Sequence, residues 1–156
     1  SGKMKPRQYG GNNITGLQGA GAWVCSAVEL LRLVASIDGK EGVPDILSPQ
    51  SVSEMKRIAR KGDYALGWAR YNSKTGSLIR TGTMSGTCAY IENKGNTAYV
   101  FLTNTSHYRG ASFTNSIGRM VNTAMSKVSE WPADRDLFVS VPHTSQTQPS
   151  DGDDIS

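Results

Sequence analysis

Apolar positions recur every three to four residues in three segments of the chain, and alternate or run together in four others. The first periodicity reads as helix and the second as strand. The first helix opens at Ser26, where Glu29 three residues on completes a capping box. Leu30, Leu31, Val34 and Ile37 then share one face, and Gly39 marks the end. A second helix starts at Ser48 and Pro49, a cap followed by the residue suited to the first helical position. Val52, Met55 and Ile58 line its inner face, with Gly62 as its stop. Phe113, Ile117, Met120, Val121, Ala124 and Val128 predict a third helix over about 112–129, ended by Trp131 and Pro132.

The extended segments follow a different rhythm. Residues 64–70, rich in aromatics, read as a strand with Tyr64 and Trp68 as core residues or, alternatively, a substrate wall, and a polar turn through Asn72–Gly76 follows. Further strands are expected at 77–82, 87–93 and 97–104. Residues 98–102 are apolar on both sides of the pleat, which predicts helices on both faces of that sheet. The implied class is α+β, an antiparallel sheet of three to four strands packed by helices. Residues 1–22, with Gly10, Gly11, Gly16, Gly19 and Gly21, read as a leader loop, and 23–131 as the folded unit. Residues 132–156 read as a polar, disordered tail, with a short extended piece at 136–141.

Composition narrows this picture. The chain of 156 residues makes one domain at most, long enough to bury roughly two-thirds of its unfolded surface. It is 37% apolar and 19% charged, and the net charge is only +4. Lys3, Lys5 and Arg7 lie in the leader, while Lys56, Arg57, Arg60 and Lys61 fall where a helix C-terminus favours cations. No nucleic-acid partner is expected. No apolar stretch approaches the ~18 residues of a membrane span. Cys25 and Cys88 read as ordinary buried thiols, with a disulfide between them as the alternative. Without a C-x-x-C pair no metal is expected, nor any other cofactor.

One segment carries candidate chemistry. Arg80, Thr81 and Gly82 place a cation, a hydroxyl and a Cβ-free backbone position side by side on an extended strand. Gly82 allows a substrate carbonyl to approach the main chain. Arg80 can hold a carboxylate in a forked, bidentate way, but it does not deprotonate and so cannot shuttle protons. The plain alternative is a surface cation beside a bulge. Two other matches read as decoys. Ser53 and Lys56 satisfy Ser-x-x-Lys, yet lie in the second helix among inward-facing apolar residues. Lys74, Thr75 and Gly76 satisfy Lys-Thr-Gly, yet sit in a polar turn. His107 and His143, the only histidines, do not suit a Ser-His-Asp triad. The run Gly16–Gly21 lacks the preceding strand and following Lys of a phosphate loop.

Five pieces occur in order: 19–30 (Gly-Ala-Gly-Ala-Trp-Val-Cys-Ser-Ala-Val-Glu-Leu), 46–55, 64–68 (Tyr-Ala-Leu-Gly-Trp), 80–87 (Arg-Thr-Gly-Thr-Met-Ser-Gly-Thr) and 100–104. In that order and spacing, residues 10–130 resemble the C-terminal part of the beta-lactamase-related serine hydrolases: class C beta-lactamases, D-alanyl-D-alanine carboxypeptidases and related esterases. The resemblance implies the C-terminal part of a beta-lactamase/transpeptidase-like fold. It puts Arg80-Thr81-Gly82 where the family has its Lys-Thr-Gly or His-x-Gly strand. The Thr83 N–H then becomes one oxyanion donor, and Arg80 and Thr83 contact substrate. The Ser-x-x-Lys nucleophile and the Tyr-x-Asn or Ser-x-Asn loop belong to an earlier part that this chain does not contain. A small-molecule or peptide ester or amide is the implied substrate of the complete protein, and a bacterial periplasmic or secreted location goes with it. Arg80 departs from the family's Lys or His, so a non-catalytic binding or interaction module derived from that fold is the other reading. A sheet of so few strands leaves an unpaired edge, which predicts self-association or an N-terminal partner segment.

Overall fold

A computed structural model of the chain describes residues 12–59 and 62–132. The expectations for residues 1–11, Arg60, Lys61, His143 and the chain beyond Pro132 lie outside the described residues. Among the described residues are four helices and four strands: α1 Ile14–Leu17, α2 Ala27–Ala35, α3 Pro49–Met55, β1 Arg70–Asn72, β2 Ser77–Met84, β3 Thr87–Lys94, β4 Thr97–Thr103 and α4 Ala111–Met125. The strands form one antiparallel sheet in the order β1-β2-β3-β4, each neighbour in sequence also a neighbour in space. The α+β class with an antiparallel sheet is therefore as the residue pattern implied.

Local signals explain the helix starts. The Ser26 hydroxyl accepts from the Glu29 N–H at 3.2 Å, and the Glu29 carboxylate accepts from the Ser26 N–H at 2.6 Å, a complete capping box. Ser48 caps α3 by accepting from the Ser51 N–H at 3.2 Å, with Pro49 in the first turn. Strand alternation then sorts side chains between two faces. On one, Leu78, Ile91 and Ala98 pack with Val34 of α2, Met55 of α3, and Ala65, Trp68 and Tyr71. On the other, Cys88, Tyr90, Glu92 and Tyr99 meet α4 at Thr114, Gly118 and Asn122. Helices cover both faces, as the two-sided apolar pattern of β4 requires.

Several expectations change. Residues 64–70 form no continuous strand: Ala65 and Trp68 exchange backbone hydrogen bonds at 3.1 and 3.2 Å across a tight turn. Gly67, at φ 78°, makes that reversal, and pairing with β2 begins only at Arg70. Trp68 is buried there, but Tyr64 is half exposed. The glycine-rich leader is not all loop, since Asn13 caps α1 through its side chain and a 3₁₀ turn spans Gln18–Ala20. Helix α3 ends at Met55, where 3₁₀-type bonds from Lys56 and Arg57 tighten the last turn. Lys56 then donates to the main-chain carbonyl oxygen of Asp38 at 3.2 Å, and Arg57 to the Glu54 carboxylate at 2.6 Å. In α4 the buried positions are Thr114 and Gly118, while Met120 and Ala124 face solvent. Cys88 is buried, but Cys25 is exposed, and neither is in a disulfide.

Candidate functional site

The register of one hairpin decides what residues 80–84 present to their surroundings. Strands β2 and β3 are joined by the two residues Ser85 and Gly86 and close on the pair Met84 and Thr87. A pair that closes so short a loop must exchange both of its own backbone hydrogen bonds, because the next two residues are the turn itself. Counting back along β2, Gly82 and Arg80 are bonded to Ala89 and Ile91. Thr83 and Thr81 occupy the alternate, non-bonded pairs with Cys88 and Tyr90. Their N–H and C=O groups therefore point away from β3, toward the other edge of β2.

That edge is covered only in part. Strand β1 pairs with Ser77, Leu78 and Ile79 and stops there. Among the described residues no strand pairs with 80–84 on that side. Arg80, Gly82 and Thr83 are exposed and Thr81 is half-buried. All four candidate residues thus lie on one extended strand, with two outward amides a single residue apart. Arg80 Nη1 donates to the Tyr64 hydroxyl at 3.1 Å, so Tyr64 orients the guanidinium.

Distant segments converge on the hairpin tip beside these residues. Asn12 Nδ2 donates to the Ser85 carbonyl oxygen at 3.0 Å. Gly21 lies against Met84, close enough that a Cβ there would sit 3.7 Å from its sulfur. The Gly86 N–H donates to the Ser106 hydroxyl at 2.9 Å, and the Thr83 hydroxyl lies 3.3 Å from that of the fully buried Thr114. The strand is consequently held in place from both faces. A rigid strand with outward N–H groups and an adjacent guanidinium can donate to a carbonyl oxygen or oxyanion and receive a carboxylate. Tyr64, Asn12 and Thr114 join this arrangement without a signal in the residue spacing.

No protein-family model, curated protein or solved structure matches this chain.

The decoys are placed elsewhere. Lys74, Thr75 and Gly76 lie in the turn from β1 to β2. Ser53 is exposed on α3, and the Lys56 ammonium is taken up by the Asp38 carbonyl oxygen. His107 follows β4 and stacks on Phe113 at 5.0 Å, with Nδ1 accepting from the Arg109 N–H at 3.1 Å. Among the described residues no helix is long and apolar enough to cross a membrane.

A second polar centre was not legible in the sequence. Glu92, 6% exposed, accepts from Ser77 at 3.0 Å, Tyr90 at 2.9 Å, Tyr99 at 2.8 Å and Asn122 at 2.7 Å. The Tyr99 hydroxyl also lies 3.0 Å from the Gly118 carbonyl oxygen, and its single proton serves one acceptor at a time. Burial pushes the Glu92 carboxyl up, but the hydrogen bonds from Asn122, Tyr99, Tyr90 and Ser77 together outweigh it and hold the group below its ordinary value. Burial, and then Glu92 itself, pushes Tyr90 up to about 12. Burial followed by Glu92 and Tyr90 also raises Tyr99. The knot borders an open cleft of about 420 Å³ that Lys94, Thr97 and Trp131 also line. With four donors already satisfying Glu92, its work is to bind α4 to the sheet. On the opposite face, Asp38 accepts from Asn93 Nδ2 and the Lys40 N–H, each at 3.0 Å, and fastens the end of α2 to β3.

Proposed function

We propose that this chain is the C-terminal portion of a beta-lactamase-related serine hydrolase that cleaves an amide or ester through an acyl-enzyme. The Thr83 N–H serves as one oxyanion donor, and Arg80, held by Tyr64, receives a substrate carboxylate. Thr81 and Gly82 form the strand along which the acyl group lies. The serine, which attacks the carbonyl carbon while the leaving group departs with a proton, comes from outside these 156 residues. The observation that carries the reading is the outward direction of the Thr83 amide on an edge that β1 leaves open. A donor aimed where negative charge develops is worth about 10²–10³ in rate in comparable sites.

The test has two arms. The chain alone should stay unlabelled by a fluorophosphonate and by a fluorescent β-lactam, because the nucleophile lies elsewhere. Titrated with benzylpenicillin, a carboxylate-bearing amide, it should show amide-resonance shifts confined to residues 80–84 and lost in Arg80→Ala. Labelling at one of its own serines, or no perturbation of residues 80–84, contradicts the reading. The second result would favour a non-catalytic module built on the same sheet.

A further inference from the structure

The outward amides of β2 are arranged symmetrically about Gly82, and that symmetry suits one partner in particular. We infer that two copies of this chain associate by pairing β2 with β2, antiparallel, about a two-fold axis at Gly82. The inference uses the same strand edge as the proposed function but none of its chemistry. In this register Thr81 of one copy stands opposite Thr83 of the other, and the converse. Both are hydrogen-bonded pairs, because both residues direct N–H and C=O outward. Four bonds form and no outward group between them is left over.

Side chains favour the same register. Gly82 meets Gly82 in the close, non-bonded type of pair, where the absence of a side chain avoids crowding. Arg80 falls opposite Met84 rather than opposite a second Arg80, so like charges are kept apart. Exposed edges are commonly protected by proline, lysine or a bulge, and residues 80–84 contain neither proline nor lysine. The segment that touches Met84 at Gly21 also carries Trp23 and Val24, which are 85% and 92% exposed. Exposed aromatic and aliphatic side chains two and three residues from that contact are of the kind an interface core buries. The edge would then be closed in the associated form, so substrate and second copy compete for the same amides.

The test exploits the glycine at the axis. In the full chain carrying Cys25→Ser, the Gly82→Cys variant places two thiols across a non-bonded antiparallel pair, within disulfide reach. A Cβ at Gly82 meets only Ala89 at an ordinary 3.7 Å, so the fold tolerates it. Under mild oxidation this variant should form a covalent dimer about 10-fold faster or more than a control with Ser112→Cys on the exposed start of α4, because association raises the local thiol concentration. Sedimentation of the unsubstituted chain over a concentration series should give a monomer–dimer equilibrium. Thr83→Pro, which removes an N–H that pairs with no strand among the described residues, should weaken it about tenfold or more with an unchanged circular dichroism spectrum. A chain monomeric at every concentration, or cross-linking at Gly82→Cys no faster than in the control, overturns the proposal. Either failure leaves the β-lactam titration, read on the monomer, unaffected.

Discussion

Replacing Glu92 with alanine should cost about 3–5 kcal/mol of folding stability, the scale for stripping a buried, multiply bonded charge from its partners. Ser77, Tyr90, Tyr99 and Asn122 all lose Glu92 as an acceptor at once. Tyr99 keeps the Gly118 carbonyl oxygen and Asn122 the Tyr99 hydroxyl, but Tyr90 is nearly fully buried. In a domain of ordinary stability that is a drop in Tm of roughly 10–20 °C by calorimetry. Glu92→Gln keeps the shape but turns an –NH₂ toward donors, and should recover only part of the loss. A Tm within a few degrees of the unsubstituted protein for both variants would contradict the assignment of the knot as the clamp between α4 and the sheet.

The same knot sets two pH limits. Because the folded-state Glu92 carboxyl lies below its ordinary value, its contribution is complete above the unfolded value of ~4.3 and is lost as pH falls through the folded one. Because Tyr90 is raised to about 12, the folded state holds a proton that the unfolded phenol releases near pH 10. Stability therefore also declines as pH rises from about 10 toward 12. Denaturant titrations should show the acid decline flattened in Glu92→Gln and the alkaline one reduced in Tyr90→Phe.

Gly118→Ala should destabilise the protein even though alanine is the better helix former. A Cβ at position 118 would lie 2.3 Å from Tyr90 Cζ and 2.8 Å from its hydroxyl oxygen. Tyr90 cannot yield, being stacked on Tyr99 at 5.6 Å and bonded to Glu92. Helix propensity returns about 1 kcal/mol, while forcing atoms into a packed site costs roughly 1–3 kcal/mol and more where nothing gives way. The expected net loss is about 2 kcal/mol. It should shrink in the Tyr90→Leu background but persist with Tyr90→Phe, whose ring keeps Cζ; that coupling is what a double-mutant cycle measures. A higher Tm in Gly118→Ala alone would show that α4 does not approach the sheet as described.

The contrast between these sites explains what the residues announced and what they did not. Capping is local, so Ser26 with Glu29 and Ser48 with Pro49 could be read directly from neighbouring positions. The boundaries of β2, β3 and β4 were likewise close, because two tight turns and alternating side chains fix them. In α4 the apolar stripe predicted Met120 and Ala124 inward, yet Thr114 and Gly118 are buried. The deciding factor is the bulk of Tyr90 on another element, which periodicity cannot register. Residues 64–70 look like a strand by propensity, but Gly67 adopts a positive φ and turns the chain back. For the candidate site, sequence put Arg80–Gly82 on a strand, and β2 runs on to Met84. The direction of each amide depends on the two-residue loop at Ser85 and Gly86 and on where β1 stops, and Tyr64 reaches Arg80 only through the fold.

The most direct test of the open edge is amide hydrogen exchange, residue by residue along β2, in a sample dilute enough to be monomeric. Arg80, Gly82 and Met84 should be protected by their bonds to Ile91, Ala89 and Thr87, while Thr81 and Thr83 exchange nearly as fast as a turn. Equal protection of Thr83 and Gly82 would mean that the Thr83 amide is already engaged, and neither the oxyanion role nor the two-fold pairing would stand.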